Sequence, residues 1–370
     1  MKKILVTGAG GFIGRNLIES LRSSKDVSIL AFHHSMGIAV LQEYCRTCDF
    51  VFHFAGVNRP SEEEEFVTGN VKFTYMLIEA LASAGNACPI VFASSVQAQR
   101  DNAYGKSKRE AECILRQHGE SIGSSVMIYR LPNVFGKWCK PDYNSAIATF
   151  CYNTAHGLSI SVHDPSREMT LVYIDDFIKE CMRALVGRGT KNGEFYEVPV
   201  CYHRSLGEIA RIIQEFPSCR NNLSIPKQED MLTKRLYSSY LSYLPSDQFS
   251  YELNEHKDAR GLFAEFVRTE GQGQFSVNVA KPGIVKGNHW HASKHEKFLV
   301  VSGRGCIRFR VVDGNEITEY NVSGDKLQVV EIPPGYTHSI ENVGDEDLVT
   351  VMWANENFDP NNPDTYFLEV

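Results

Sequence analysis

Tyr104 and Lys108 stand at i and i+4 in YGKSK. On a helix that spacing puts both side chains on one face. An ammonium beside a phenol stabilises the phenolate and lowers its pKa. Such a phenol can give a proton to, or take one from, a substrate oxygen during hydride transfer. Ser94 and Ser95 close the apolar run PIVFASS just upstream and are placed to hydrogen-bond the same oxygen. A Tyr-x-x-x-Lys pair alone is common and usually structural. Its chemical weight here comes from TGAGGFIG near the start of the chain.

That stretch puts Gly8, Gly11 and Gly14 directly after the apolar run ILV, with Phe12, Ile13 and Arg15 opening a helical pattern. Glycines at such a strand–helix turn let the backbone approach a pyrophosphate, which the helix N-terminus favours through its free N–H groups and dipole. NAD-binding folds often carry Asp or Glu about 20 residues further on, to hold the ribose 2′-hydroxyl. This chain has Phe32, His33 and His34 there and no acid. A 2′-phosphate is not repelled, and Arg15, His33 or His34 is able to meet it, so NADPH is the expected cofactor. An acid supplied from elsewhere, or loose specificity, is the competing reading.

A second set lies far along the chain. NHWHASKHE places His289 and His291 at i and i+2, which on a strand share one face, and Glu296 follows a short turn. PPGYTHSIEN adds His338. Three imidazoles and a carboxylate suit zinc, iron, nickel or manganese, with Zn2+ the expected divalent ion. A bare H-x-H more often lines a polar surface, and His295 is a spare imidazole beside the set.

The elements that must position these residues can be read from periodicity. Buried-strand runs (KKILVT, VSILAF, DFVFHFAG, PIVFASS, VMIYRLPNVFG) alternate with helical stretches, among them VKFTYMLIEALASAG and YGKSKREAECILRQHG. That order predicts an α/β fold with a doubly wound parallel sheet. From about residue 250 short alternating strands separated by Gly-, Pro- and Asn-rich turns replace the helices, as in an all-β barrel or sandwich. The expected domains are therefore 1–247 and 248–370. The acidic run SEEEEF reads as a solvated helix start.

Bulk properties exclude several classes. The formal net charge is −7, which argues against nucleic acid or an anionic membrane surface as the partner. No run approaches the ~20 apolar residues of a membrane span, and MKKILVTGAG is too short in its apolar part for a signal peptide. A cytoplasmic protein is expected, its ten cysteines reduced. The C-x-x-C of Cys45 and Cys48 lacks a second pair and reads as ordinary packing.

Residues 1–245 resemble the extended short-chain dehydrogenase/reductase family, which acts mostly on nucleotide sugars. TGAGGFIG, HFAG, GNVKFT, FASS, YGKSK, YRLPNVFG and LVYIDD fall in that family's order. The resemblance assigns Ser95, Tyr104 and Lys108 as catalytic residues and Asn70 to a position behind the site. It also assigns Asn133 to the nucleotide sugar and Arg167 to its diphosphate. Only eight residues separate Ser95 from Tyr104, fewer than is usual, so the pocket is expected to be more open. Residues 250–370 resemble the cupin barrel, whose two motifs map onto GIVKGNHWHASKHEKFLVVSG and PPGYTHSIEN. This resemblance implies His289, His291, Glu296 and His338 as metal ligands.

The same segment is similar to cupin-fold epimerases of nucleotide-deoxysugar synthesis, through DARGLFAEF, KGNHWH and EKFLVVSGRG. There a histidine takes the proton beside a ketone and a lysine stabilises the enolate. The matching positions are His289 and Lys297. A metal on His289 occupies the lone pair a base needs. Three readings stay open: the metal polarises the ketone, another residue is the base, or the metal is structural.

The combined order of domains resembles bifunctional enzymes of capsule and O-antigen synthesis. It implies a homodimer acting on a UDP-4-keto-6-deoxy-N-acetylhexosamine. The cupin part would epimerise C3, and the reductase part would reduce C4 with NADPH to UDP-2-acetamido-2,6-dideoxy-L-talose, toward UDP-N-acetyl-L-fucosamine. Competing readings are a 4-epimerase or dehydratase with a regulatory cupin, a non-enzymatic sensor, and a cupin dioxygenase if the metal is iron. Val96 and Gln97, where a dehydratase places acids, count against the dehydratase. Retention of Tyr104 and Lys108 counts against the sensor.

Overall fold

A computed structural model describes residues 1–227, 229–269 and 271–370. The chain forms two compact units, Met1–Gln214 with Lys234–Pro245 and Glu215–Thr233 with Ser246–Val370. The segment 215–233, placed in the first domain from sequence, therefore clusters with the second.

The first unit is built on β1 (Lys2–Thr7), β2 (Val27–Phe32), β3 (Phe50–His53), β4 (Ile90–Ser95) and β5 (Val126–Leu131), with β6 (Asn133–Phe135), β7 (Glu168–Tyr173), β8 (Lys191–Asn192), β9 (Phe195–Tyr196) and β10 (Tyr202–Ser205). The main sheet runs β2-β1-β3-β4-β5-β9-β8, and β10-β7-β6 form a smaller one. Strands β1 to β5 are parallel throughout. Ile4, Leu5 and Val6 are each fully buried, so β1 shows a continuous apolar run rather than alternation, as expected of a strand covered on both faces. Strand order reverses between β1 and β3, and ligands bind at such switch points, outside the carboxyl ends of the strands.

Local signals explain the helices that matter. The helix Phe12–Arg22 starts at Gly11 with no side-chain cap, which leaves its first N–H groups free for an anion. The helix Ala103–Ile122 is capped by Asn102, whose Oδ1 accepts from Gly105 N at 2.7 Å, and stops at Gly123 with φ +71°. The predicted helix around VKFTYMLIEALASAG begins as a π-helical turn, Val67–Lys72, and becomes α-helical only over Phe73–Ser83. The acidic run falls in the exposed short helix Glu64–Phe66 and the turn before it.

The second unit is all-β. Its strands are β11 (His256–Asp258), β12 (Gly261–Thr269), β13 (Gly273–Ala280), β14 (Val285–Trp290), β15 (Glu296–Ser302), β16 (Arg304–Val311), β17 (Ile317–Ser323), β18 (Val329–Ile332), β19 (Tyr336–Asn342), β20 (Leu348–Ala354) and β21 (Tyr366–Phe367). They pair as two antiparallel sheets, β11-β12-β13-β20-β15-β18 and β17-β16-β19-β14-β21. Phe298 and Val300 of the first sheet pack with Ile307, Phe309 and Ile340 of the second in one core. β17 reads ITEYNVS and is mostly exposed, and β14, which carries His289, is broken by a bulge.

Candidate active sites

In the first unit the glycine turn is dictated by space. Gly8 has φ +67°, and a Cβ there would stand 2.6 Å from Ala55 N. A Cβ on Gly14 would meet the Gly8 carbonyl oxygen at 2.3 Å. The helix can therefore start against the turn only if both are glycine. Behind the turn, a hydrogen-bond chain fixes the floor. Thr74 Oγ1 donates its only hydrogen to the Asn70 carbonyl at 2.6 Å and so accepts from His53 Nε2–H at 2.9 Å. In the neutral ring Nδ1 is then an acceptor, and Thr7 Oγ1 donates to it at 2.8 Å while accepting from Ala55 N at 3.2 Å. Complete burial lowers the His53 pKa to about 3, which keeps the ring neutral, as this chain of donors requires. Asn70, inside the π-helical turn, ties Val57 N and O at 2.8 and 2.9 Å and Ser107 Oγ at 2.9 Å. Such turns recur at functional sites, and this one holds the HFAG loop in place.

A cavity of about 480 Å³ opens in front of this floor. Gly8, Gly11, Phe12, Ile13 and Gly14 line one part of it, and Tyr104, Lys108 and Asn133 another. Lys108 is buried, with Nζ 2.8 Å from the Ala93 carbonyl and 4.7 Å from the Phe92 ring centroid. Burial lowers its pKa to about 8, with Glu112 pulling weakly the other way. Tyr104 departs from expectation: burial raises its pKa, and a hydrogen bond with Ser95 is what opposes this. The Lys108 Nζ donates to the Ala93 carbonyl.

The structure separates the two serines. Ser94 is buried and donates to Glu112, which Arg130 grips with two further bonds at 3.0 and 2.6 Å. Ser95 is half-buried and reaches the cavity through Tyr104. Its hydroxyl also accepts from Gln97 N at 3.2 Å. Ser94 lines the cavity but gives its hydrogen to Glu112, while Ser95 is the hydroxyl that meets the phenol.

The residues expected to meet a 2′-phosphate, Arg15, His33 and His34, stand apart from the cavity lining. Arg15 is exposed and lies over the Trp138 ring at 4.2 Å. His33 is half-buried beside Gly10, and His34 is exposed. Asn133 lines the cavity and donates to the Thr170 carbonyl at 3.2 Å. Arg167 is exposed just before β7 and does not line the cavity. Gln97, at a position where a dehydratase places an acid, also lines it, as do Lys140 and Tyr143, which no spacing or motif marks.

The second unit holds a separate cavity of about 710 Å³. At its base the ligand atoms of His289, His291, Glu296 and His338 all lie within 4.8 Å of one another. The expected strand geometry holds only in part. β14 ends at Trp290, and a bulge with Asn288 at φ +57° sits just before His289. The bulge and the strand end, rather than plain alternation, aim the two imidazoles inward. His291 Nε2 and His338 Nε2 lie 3.5 and 3.6 Å from Glu296 Oε2. Burial lowers the His289 pKa and brings His338 to about 3, and the surrounding imidazoles lower the Glu296 pKa despite its burial. The set thus puts neutral His289 and His338 imidazoles beside an ionised Glu296, with His291 completing it. His291 Nε2, Glu296 Oε2 and both ring nitrogens of His338 are buried without a hydrogen-bond partner. Buried polar atoms rarely stay unpaired, and a divalent cation would satisfy most of these together, so the residues fit one.

Lys297 does not join this site. Glu296 points inward on β15, so its neighbour points to the opposite face. There Lys297 pairs with Glu331, the side chains 46% and 63% exposed. The lysines that do line the cavity are Lys257, Lys286 and Lys294. Lys286 was visible in KGNHWH but unassigned, and its Nζ donates to Asn278 Oδ1 at 2.7 Å and Val279 O at 2.9 Å. The Cys45 and Cys48 thiols are buried in the core of the first unit, Cys48 Sγ 3.7 Å from Cys88 Sγ.

Residues 4–198 match the NAD dependent epimerase/dehydratase family, and residues 256–366 match the polysaccharide biosynthesis C-terminal domain. The chain is 46% identical over 368 residues to UDP-2-acetamido-2,6-beta-L-arabino-hexul-4-ose reductase of Pseudomonas aeruginosa, covering 100% of this chain and 99% of the relative. It is similar to the crystal structure of the capsular polysaccharide assembling protein CapF from Staphylococcus aureus. The TM-score is 0.94 and the identity 51%, over 99% of this chain and 100% of the other. UDP-glucuronic acid 4-epimerase from Bacillus cereus, in complex with NAD, is 19% identical with a TM-score of 0.55, covering 65% of this chain and 98% of the other, a likeness of fold alone.

Proposed function

This chain belongs to the NAD dependent epimerase/dehydratase family, and from that premise we propose that it is a two-site enzyme of nucleotide-sugar metabolism. The substrate is a UDP-4-keto-6-deoxy-N-acetylhexosamine. The second unit epimerises C3, and the first reduces the C4 ketone with NADPH. The product is UDP-2-acetamido-2,6-dideoxy-L-talose, on the route to UDP-N-acetyl-L-fucosamine for capsule or O-antigen. The observation that carries the reading is the presence of two unlike sites in a chain similar end to end to a UDP-hexul-4-ose reductase.

In the first site NADPH supplies the hydride. Gly8, Gly11 and the uncapped N-terminus of the following helix hold the pyrophosphate. Tyr104 gives its proton to the C4 oxygen as the alcohol forms, and Ser95 hydrogen-bonds that oxygen. Lys108, one helical turn on, lines the same cavity with its Nζ donating to the Ala93 carbonyl. Asn133, on the cavity wall, orients the sugar.

In the second site His289, His291, Glu296 and His338 would hold a divalent ion, Zn2+ being the best match to nitrogen-rich ligands. Bound there, such an ion supplies Lewis-acid polarisation of a carbonyl oxygen. With its lone pair on the ion, His289 is not the C3 base in that state. The order of steps follows from chemistry: the C3 proton is acidic only while C4 is a ketone, and reducing C4 fixes the new configuration.

The decisive test is Tyr104→Phe. NADPH oxidation should vanish, while solvent deuterium still exchanges into C3 of the keto-sugar, followed by NMR. Loss of both together overturns the two-site reading. A homodimer in the cytoplasm is part of the same proposal, and sedimentation checks the dimer.

A further inference from the structure

His291 and Glu296, two members of the proposed metal set, are joined by a non-repetitive loop, residues 292–295. Neither β14 nor β15 supplies hydrogen bonds to its backbone. A free loop of this kind would let the two ligands drift apart, because each unfixed residue keeps two soft dihedrals. Here it is held from a segment about 70 residues away.

The Asp364 carboxylate accepts three backbone N–H groups in succession: Ala292 at 2.8 Å, Ser293 at 2.9 Å and Lys294 at 2.8 Å. It also accepts from Ser293 Oγ at 3.0 Å. Asn355 completes the clamp, its Oδ1 accepting from His295 N at 3.0 Å. Every backbone N–H from 292 to 295 is thereby paired. The Asp364 carbonyl accepts from His291 Nδ1 at 2.6 Å. A carbonyl can only accept, so Nδ1 carries the hydrogen and the Nε2 lone pair faces Glu296. The buried Lys294 ties the same segment down, with Nζ 3.0 Å from both Pro363 O and Thr365 Oγ1. Asp364 itself has φ +39°, a conformation disfavoured for a residue with a side chain. Its neighbours over-determine it.

We propose that Asp364 is a positioning residue for the metal centre: its carbonyl fixes the His291 tautomer and its carboxylate fixes the loop that spaces His291 from Glu296. The assignment rests on the metal reading above. Partners that orient metal ligands without touching the ion typically contribute 10–100-fold in metal affinity.

The test uses the purified full chain and Zn2+, with affinity measured by competition against a chromogenic chelator. Asp364→Ala is expected to weaken Zn2+ binding about 10–100-fold and to alter the visible absorption of the Co2+-loaded protein, while far-UV circular dichroism stays unchanged. Asp364→Asn loses less, because one amide oxygen still accepts from the loop. Asp347→Ala, which breaks the exposed pair with Lys281 in the same unit, leaves affinity unchanged. ¹⁵N NMR of His291 should report a protonated Nδ1 in the wild type and also in Asp364→Ala, which keeps the main-chain carbonyl at position 364; a protonated Nε2 in the wild type overturns the tautomer assignment. Equal Zn2+ affinity in wild type and Asp364→Ala overturns the assignment. If that variant does not fold, equal affinity in Asp364→Asn does the same. A wild-type chain that binds no divalent ion overturns the metal reading itself, which keeps the two failures distinct.

Discussion

Burial of Lys108 makes a quantitative prediction about stability. The side chain is 6% exposed, and burial lowers its pKa from an ordinary 10.5 to about 8. Folding therefore favours the neutral amine. The stability this group contributes is fully present above pH 10.5 and is lost as pH falls through about 8. At ~1.36 kcal/mol per pKa unit, the gap is worth about 3 kcal/mol over the whole window, and about 2 kcal/mol of it falls between pH 7.5 and 10. Lys108→Met removes the titrating group and keeps the stem. It also leaves the Ala93 carbonyl without its 2.8 Å donor, a cost that does not vary with pH. The assay is urea unfolding of wild type and Lys108→Met, cofactor-free, followed by helical circular dichroism, which comes mostly from the first unit. Wild type should gain about 2 kcal/mol on the variant between pH 7.5 and 10. A difference that stays flat across that range refutes the reasoning, because the ammonium would then be solvated in the folded protein.

Other outcomes follow from named contacts. Lys297→Ala should leave C3 exchange within about twofold of wild type and cost less than ~1 kcal/mol, because it breaks only an exposed ion pair; loss of exchange in that variant would return Lys297 to the site. Gly14→Ala should weaken NADPH binding about tenfold or more in a fluorescence titration. Its Cβ would sit 2.3 Å from a backbone oxygen, and a forced shift costs ~1–3 kcal/mol. Alkylation of the native protein, read by peptide mass spectrometry, should label the exposed Cys113 and Cys201 and spare the buried Cys45, Cys48 and Cys88. Labelling of Cys48 as fast as Cys113 would show that the packing reading of that pair is wrong.

Much of both sites was legible because it is local. A strand, a glycine turn and a helix start within a few residues of one another, so their order in sequence is their order in space. The i, i+4 spacing of Tyr104 and Lys108 is a property of one helix. The Lys297 expectation failed on information the sequence already held: period-two alternation beside an inward Glu296 turns Lys297 outward.

The sequence by itself determined which residue types are available and which neighbours share a turn or a face: Gly8, Gly11 and Gly14 at one helix start, and His289 and His291 side by side. Tertiary structure alone decided how those groups are used. Ser94 is withdrawn by Glu112, 18 residues on. Lys108 is buried with its Nζ on the Ala93 carbonyl, 15 residues back. His291 takes its tautomer from Asp364, 73 residues away. In each case a protonation state or a rotamer depends on burial and on a hydrogen-bond partner distant in sequence, and no short-range pattern encodes that partner.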